Sequence, residues 1–373
     1  MTSQSEGVQI GVSLSSLGYL LAGLGACVAI LARDLNEPTG RLALLSSAFA
    51  VGLVIVAAVG PRLLRIWSIG VVLRVGSLVC AFGGALLALA PVYAVVVVGG
   101  LCVGLGGALL VLVAPLMLHG PTAAARLSRV NAVSSAAGIL APLTIGLIDA
   151  LGISGRVAML VAVPPLLVLA VLKGPDIQAP ALSEAPSGHA VGRTVALGWL
   201  RVVLAVGVEF CFVVWAVARL VDSGVTLAVA ALLGSSFPIG MAVGRAIGPV
   251  HWRGVPPVVI GGSLAIVGTL FVSLLNAPAL IAVGLVIAGI GVAPLYPVTL
   301  AALVAMPGLS PTRLAALGAL ASGTAILITP AALAGLARLV NIRLAYLITI
   351  PLLVVLFALS RVRPAVRSSA VAH

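Results

Sequence analysis

One acidic residue, Glu209, lies near the middle of a long apolar run, residues 195–221. If this run spans a bilayer, an ionised side chain at that depth costs about 2.5–3.5 kcal/mol on insertion scales. Because apolar surroundings favour the neutral form of a carboxyl group, such a residue can hold a proton when occluded and release it when wet. We therefore predict that Glu209 binds a coupling proton. The structural alternatives are a protonated carboxyl group bonded to a neighbouring helix, and a pair with an arginine.

Two arginines, Arg201 and Arg245, lie near those ends of the seventh and eighth apolar runs that we expect on the cytoplasmic side. They are candidates for a cytoplasmic gate or for contact with an anion. The alternative is that their side chains extend to lipid phosphates, as long basic side chains at helix ends commonly do. Asp34, Asp149 and Asp222 lie near the opposite ends of their runs, and we expect them to be interfacial or helix-pairing groups.

The sequence lacks the motifs of several other chemistries. Its only lysine, Lys173, is followed by Gly-Pro, so there is no phosphate-binding Gly-Lys-Ser/Thr loop. It contains neither HExxH nor GxSxG, and no paired acids in the middle of an apolar run. The four cysteines form no CxxC pair. We therefore expect no enzyme, no metal site and no cofactor.

The composition restricts the class of protein. Of 373 residues, 62% are hydrophobic and 8% are charged, and the mean hydropathy is +1.32. A soluble domain carries about 25% charged residues, so soluble and disordered classes are excluded. A bilayer-spanning helix needs about 20 apolar residues. We predict an all-α polytopic membrane protein, and we attribute the net charge of +12 to basic loops rather than to nucleic-acid binding.

Apolar runs between Pro, Gly and charged breaks predict twelve spans. The predicted spans are residues 8–32, 42–60, 67–90, 92–118, 131–151, 156–172, 195–221, 225–247, 255–275, 278–305, 313–339 and 341–362. One long connection, residues 173–194, has the composition of a flexible polar linker and separates six-helix halves at residues 1–172 and 195–373. The distribution of basic residues predicts that both termini and this linker are cytoplasmic, in a protein of the cell (cytoplasmic) membrane.

The two halves repeat at an offset close to half the length of the chain. Four matches occur in the same order: Asp34 with Asp222, Ser47–Gly52 with Ser235–Gly240, Gly60-Pro61 with Gly248-Pro249, and Ser135–Leu140 with Ser322–Leu327. Because six spans return the chain to its starting side, the repeat is parallel. The sequence therefore predicts two pseudo-symmetric halves related by an axis along the membrane normal.

Three stretches carry a family resemblance: Val206–Phe210 followed by Trp215, then Phe237–Arg245, and Gly289–Pro297. A Gly-x-Glu pair followed by an aromatic residue, and then Gly-Met-x-x-Gly-Arg, resembles the fucose-permease-like branch of the major facilitator superfamily. The resemblance implies a twelve-helix fold whose halves rock about a site near the midplane. It also implies a substrate cavity lined by the first, fourth, seventh and tenth helices, whose larger or polar side chains are Tyr19, Met117, Trp215, Tyr296 and Thr299.

These observations lead to the expectation of a secondary transporter working by alternating access. The sugar permeases of the branch carry acids in the first and fourth helices, but residues 19–29 and 102–117 contain none. We therefore favour proton-linked export of a small apolar or amphiphilic compound. Proton-coupled uptake of a sugar-like or other polar solute is the alternative, and a non-transport membrane protein or a membrane-embedded enzyme is a further one. The expected partners are a small-molecule substrate, protons and the lipid bilayer, with no nucleic acid, and we expect a monomer.

Overall fold

A computed structural model of the chain describes residues 2–38, 45–118, 123–172, 189–250, 254–306, 309 and 311–361. Within these ranges the secondary structure consists of helices and contains no β-sheet. The all-α prediction is confirmed. Residues 173–188 of the predicted linker lie outside the described part of the chain.

The described residues of the first half form six helices. These are α1 (Thr2–Leu35), α2 (Leu45–Ile66), α3 (Ile69–Leu89), α4 (Tyr93–Met117), α5 (Ala123–Ala150) and α6, which starts as a 3₁₀-helix at Gly155–Ala162 and continues as Val163–Val171. We call the face that carries Leu172 and His189 the linker face, and the opposite face, which carries Leu35 and Asp222, the far face.

The second half repeats this pattern in the part of the chain that the structure describes. Its helices are α7 (His189–Asp222), α8 (Leu227–Gly234 and Ser236–Ile247), α9 (Pro257–Leu274), α10 (Pro278–Val292 and Leu295–Val304), α11 (Pro311–Leu339) and α12 (Ile342–Ala345, a 3₁₀ turn at Tyr346–Ile348, and Thr349–Arg361). Pro294, which has no backbone N–H, lies at the interruption of α10.

The helices agree with the predicted spans. By length and composition, ten are suited to cross a membrane, and the other two contain the shorter apolar stretches Ala50–Gly60 and Gly155–Val171. The main differences lie at the linker face, where α1 begins at Thr2 instead of 8, α5 at Ala123 instead of 131 and α7 at His189 instead of 195. Hydropathy marks only the apolar part of a helix, whereas the backbone continues through its basic end. The last residues of the predicted linker are therefore helical.

Glycines bring neighbouring helices together in the same way in both halves. A Cβ atom added at Gly106 would lie 2.5 Å from Cys80 N, and one added at Gly291 would lie 2.4 Å from Ala265 N. Gly106 and Gly291 are separated by the same number of residues as Cys80 and Ala265, so the two contacts are equivalent in the repeat. Four glycines at α3–α4 recur at α9–α10 with this same separation: Gly76, Gly83, Gly99 and Gly106 correspond to Gly261, Gly268, Gly284 and Gly291. The duplication therefore extends to the close backbone approaches, where only glycine fits.

Arginines cap helix ends at the far face. Arg156 at the start of α6 donates to the Ala90 carbonyl at the end of α3, at 2.7 Å. Its counterpart in the second half, Arg343, lies at the start of α12 and donates to the Leu274 carbonyl at the end of α9, at 3.1 Å. The last carbonyls of a helix lack partners within the helix and attract cations. The two halves thus close the same helix end with the same residue type.

The halves contact each other along α2 and α11, along α5 and α8, and where α1 crosses α7. At that crossing, a Cβ added at Gly25 would lie 2.3 Å from the Val213 carbonyl oxygen. Gly25 and Val213 are equivalent positions of the repeat, since the step between them equals the step from Asp34 to Asp222. Equivalent positions can touch only near the axis that relates them. The α1–α7 crossing therefore lies at the pseudo-two-fold axis.

Candidate functional site

Glu209 on α7 pairs with Arg245 on α8. The Arg245 Nη2 and Glu209 Oε1 atoms are 3.5 Å apart. The exposed fraction of the side chain is 19% for Arg245 and 15% for Glu209. Glu209 precedes the end of α7 at Asp222 by more than three helical turns, or about 20 Å at 1.5 Å per residue. The pair thus lies well below the far face, with some surface left for contact with water.

Arg245 also reaches across to the other half. Its Nη1 donates a hydrogen bond to Ser135 Oγ on α5. The Ser135 hydroxyl itself donates to the Asn131 carbonyl at 2.9 Å, which fixes its orientation. One guanidinium group therefore contacts the acid of its own half and a hydroxyl of the opposite half.

Two further hydroxyl groups complete the surroundings of the pair. The phenol of Tyr296 on α10 lies near Ser322 on α11 and close enough to Glu209 and Arg245 to interact with both electrostatically. The Ser322 hydroxyl also donates to the Gly318 carbonyl at 3.1 Å. We call Glu209, Arg245, Ser135, Tyr296 and Ser322 the Glu209 cluster.

Glycine packing positions Arg245 beside Glu209. A Cβ at Gly244 would lie 2.6 Å from the Ile290 carbonyl oxygen, and one at Gly240 would lie 2.2 Å from the Val286 carbonyl oxygen. Such contacts press α8 against α10, where Tyr296 lies. The Gly-Met-x-x-Gly-Arg sequence thus places a long cation immediately after a close helix–helix contact.

The first half has no equivalent of the ion pair. By the step that relates Asp34 to Asp222, Glu209 corresponds to Leu21 and Arg245 to Ala57. Both halves build the same helices, so the fold does not require the pair.

Known proteins resemble this chain in their structures. No family model matches the sequence, and no curated protein matches it. Among solved structures, a bacterial homologue of the human lysosomal transporter Spinster, in an inward-facing and unoccupied conformation, has a TM-score of 0.70 at 12% identity, covering 96% of each chain. The chain has the fold of the major facilitator superfamily.

Two other transporters share this fold. The fucose:proton symporter FucP of E. coli has a TM-score of 0.62 at 19% identity, covering 94% of this chain and 97% of FucP. The human organic anion transporter MFSD10 has a TM-score of 0.65 at 17% identity, covering 95% and 97%. The expected arrangement of two six-helix halves is confirmed, and so is the structural resemblance to FucP. The proteins that share the fold are transporters, not enzymes.

Within this major facilitator fold, the predicted cavity residues lie in different surroundings. Tyr296 belongs to the Glu209 cluster. Thr299 is buried, and its hydroxyl donates to the carbonyls of Leu295 and Tyr296 in its own helix, at 2.8 and 3.1 Å. Met117 is buried at the linker-face end of α4.

Tyr19 and Trp215 connect helices within one half. The Tyr19 hydroxyl is 2.5 Å from Thr144 Oγ1 on α5 and donates to the Ala158 carbonyl of α6 at 2.9 Å. The Trp215 Nε1 donates to the Pro330 carbonyl of α11 at 3.1 Å. In this conformation the polar atoms of both residues are engaged inside the protein.

Arg201 has surroundings unlike those of Arg245. It lies in the linker-side half of α7 and donates to the Leu359 carbonyl near the end of α12. The structure therefore brings Arg245, and not Arg201, into contact with Glu209.

The outer aspartates form ion pairs at the far face: the Arg33–Asp149 pair joins α1 to α5, whereas the Arg219–Asp222 pair lies within α7. Arg33 binds Asp149 through both Nη atoms, at 3.0 and 2.7 Å, and Asp34 through Nε at 3.0 Å. The hydrogen bond to Asp149 raises the pKa of the Arg33 guanidinium. Asp222 is 3.5 Å from Arg219. Across the described ranges, no group of three His, Cys, Asp or Glu side chains could hold a metal ion.

Sequence reasoning did not identify Ser135 and Ser322 as partners of the charged residues. Their signal was present, because Ser135 and Ser322 head one of the four repeat matches. Of the alternatives left open for Glu209, the structure shows the pair with an arginine.

Proposed function

We propose that the protein is a proton-linked secondary transporter that works by alternating access and exports a small apolar or amphiphilic compound. The observation that carries the proposal is the Glu209–Arg245 pair, which lies inside the bundle and is absent from the equivalent place in the first half. Charged groups within a membrane are costly and commonly mark ion or substrate pathways. A pair that the duplicated fold does not need is best explained by function.

Proton binding at Glu209 changes the charge of the site. The ionised pair is neutral, whereas protonated Glu209 leaves Arg245 with an uncompensated positive charge. Such a charge is expensive in apolar surroundings unless water or an anion reaches it. A proton can therefore alter which arrangement of the halves is favourable, as coupled transport requires.

The chemistry of the surrounding side chains supports an apolar or amphiphilic substrate. The hydroxyls of Tyr19 and Thr299 are bonded to protein oxygens, and the Trp215 N–H is bonded to a carbonyl. A solute with many hydroxyl groups would find few free partners there, and unpaired polar groups are costly to bury.

Proton-coupled uptake of a sugar-like or other polar solute is the second candidate. It is supported by the fold shared with FucP, which is described as a fucose:proton symporter. The Glu209 cluster also offers a guanidinium and three hydroxyl groups within one region of the site. In either case we propose that the protein is a monomer in the cell membrane, with both termini in the cytoplasm.

Transport assays in proteoliposomes test the role of Glu209. An amphiphilic fluorescent dye and a radiolabelled hexose serve as probes, with an imposed pH gradient. We expect the Glu209→Gln variant to lose gradient-driven accumulation of whichever probe is carried, and Glu6→Gln, which alters an acid at the start of α1, to retain it. Accumulation by Glu209→Gln with the normal pH dependence would refute the proposal.

The direction of transport requires a second comparison. In inverted membrane vesicles an exporter accumulates its substrate, whereas in right-side-out vesicles an importer does. A ligand-stabilisation screen of the purified protein at several pH values would identify further probes for both arms.

A further inference from the structure

Arg245 is attached to the second half but hydrogen-bonded to the first. Gly240 and Gly244 press α8 onto α10, so the backbone of Arg245 moves with that half. Ser135 lies on α5, and its neighbour Ser134 donates to the Leu14 carbonyl of α1 at 2.6 Å within the first half. The hydrogen bond from Arg245 to Ser135 must therefore break whenever α5 and α8 separate at this level.

The charge on Glu209 determines how the guanidinium is held. When Glu209 is ionised, its carboxylate attracts Nη2 while Nη1 bonds Ser135, so one planar group satisfies both halves. When Glu209 is protonated, the cation loses its counter-charge but remains between two apolar halves. The guanidinium already has some exposed surface, so it can then turn towards water and away from Ser135, which weakens the α5–α8 contact.

The charged and polar groups near Glu209 come from four helices. From α8 the group facing Glu209 is Arg245, and from α10 it is the Tyr296 phenol. From α11 and α5 the cluster receives the hydroxyls of Ser322 and Ser135.

We propose that Arg245 is a positioning residue that ties the α5–α8 contact between the halves to the charge of Glu209. When Glu209 is ionised, Arg245 stays hydrogen-bonded to Ser135 and the two halves stay in contact. When Glu209 is protonated, this hydrogen bond breaks and the halves separate at α5–α8. This inference rests on the proposed role of Glu209 as the proton-binding group. It adds the route by which the proton would act on the conformation.

The test measures the separation of the halves without any substrate. Cysteines at Ile66 on α2 and Ile247 on α8, both exposed at the linker face, carry spin labels, with Cys102 replaced by alanine. Distance distributions are recorded in nanodiscs between about pH 5 and pH 9. In the otherwise unaltered protein, we expect the longer-distance population to grow as the pH falls.

Ser135→Ala removes the cross-half hydrogen bond while leaving the ion pair in place. We expect it to raise the ratio of separated to joined populations at high pH by roughly ten-fold, since a hydrogen bond to a charged group is lost. Ser134→Ala is the matched control, because this neighbouring hydroxyl bonds within its own half, and it should leave the distributions unchanged. Glu209→Gln should give the low-pH distribution at every pH.

The outcomes separate the two ideas. If Ser135→Ala and Ser134→Ala behave alike while Glu209→Gln abolishes both the pH response and proton-driven transport, the Arg245 inference is wrong and the proposed function stands. If Glu209→Gln keeps the pH response of the distances, the inference is also wrong. If Glu209→Gln keeps proton-driven transport, the proposed function fails independently of the distance measurements.

Discussion

The α1–α7 crossing allows a direct test of how the halves close. Gly25 and Val213 touch there because glycine leaves room for the opposing backbone. Replacing Gly25 with alanine adds one Cβ atom at the pseudo-two-fold axis. The arrangement in which α1 and α7 touch then becomes less favourable, whereas one in which they separate is unaffected.

The size of this effect follows from the geometry. The added Cβ would lie 2.3 Å from the Val213 carbonyl oxygen. Comfortable carbon–oxygen contacts are about 3.3–3.6 Å, so the helices must move apart by about 1 Å. Overpacking of this kind costs about 1–3 kcal/mol. This corresponds to a change of about 5- to 150-fold in the ratio of the two arrangements.

The assay uses spin labels at Leu151 on the first half and Leu339 on the second, both exposed at the far face. We expect Gly25→Ala to shift this pair to longer distances. Gly11→Ala, on the same helix with nothing within 4 Å, controls for the change in helix propensity. Gly23→Ala, which would contact Met159 of its own half, controls for lost stability. If all three variants give the same distances, the crossing does not close the far face.

Two further predictions concern stability, measured as the melting temperature in detergent. Trp215→Phe removes the hydrogen bond to Pro330 and should lower the stability by about 1 kcal/mol. Trp199→Phe should leave the stability unchanged, because the buried Nε1 of Trp199 has no partner in the described part of the chain. Equal losses of stability in the two variants would contradict this prediction. Gly268→Ala would place a Cβ 2.4 Å from Ala288 N and should cost about 3 kcal/mol. Gly335→Ala meets nothing within 4 Å and should stabilise by up to about 1 kcal/mol; a destabilised Gly335→Ala would refute the packing argument.

The helices were predictable because their signal is local. A continuous apolar run of about 20 residues can cross a membrane core only as a helix that satisfies its own backbone hydrogen bonds, so each such run corresponds to one crossing. The repeat was predictable from Asp34 and Asp222 and the matches that follow them. The recurrence of the α3–α4 glycines at α9–α10 was also present in the sequence. The spacing of these glycines is slightly shorter than the spacing of Asp34 and Asp222, so the four sequence matches do not reveal it.

The partners of Glu209 could not be predicted in the same way. Lipid tails are as apolar as the side chains of a neighbouring helix, so an apolar stripe does not tell whether that side of a helix faces lipid or protein. Whether Arg245 faces α5 or lipid depends on the rotation of its helix, and so does the contact of Tyr19 with Thr144 instead of a cavity. Residue type identified the candidates, but only the packing of Gly240 and Gly244 determined which of them meet.

The duplication makes the two long interfaces between the halves geometric equivalents, yet their chemistry differs. At α2–α11, Gly323 packs against the apolar side chains of Leu53 and Val54. At α5–α8, Ser135 accepts a hydrogen bond from Arg245. An apolar contact has the same strength at every pH, whereas a contact made by a paired cation depends on the charge of its partner. The described α5–α8 contact can respond to a proton through Glu209, so we expect the rocking of the halves to begin there.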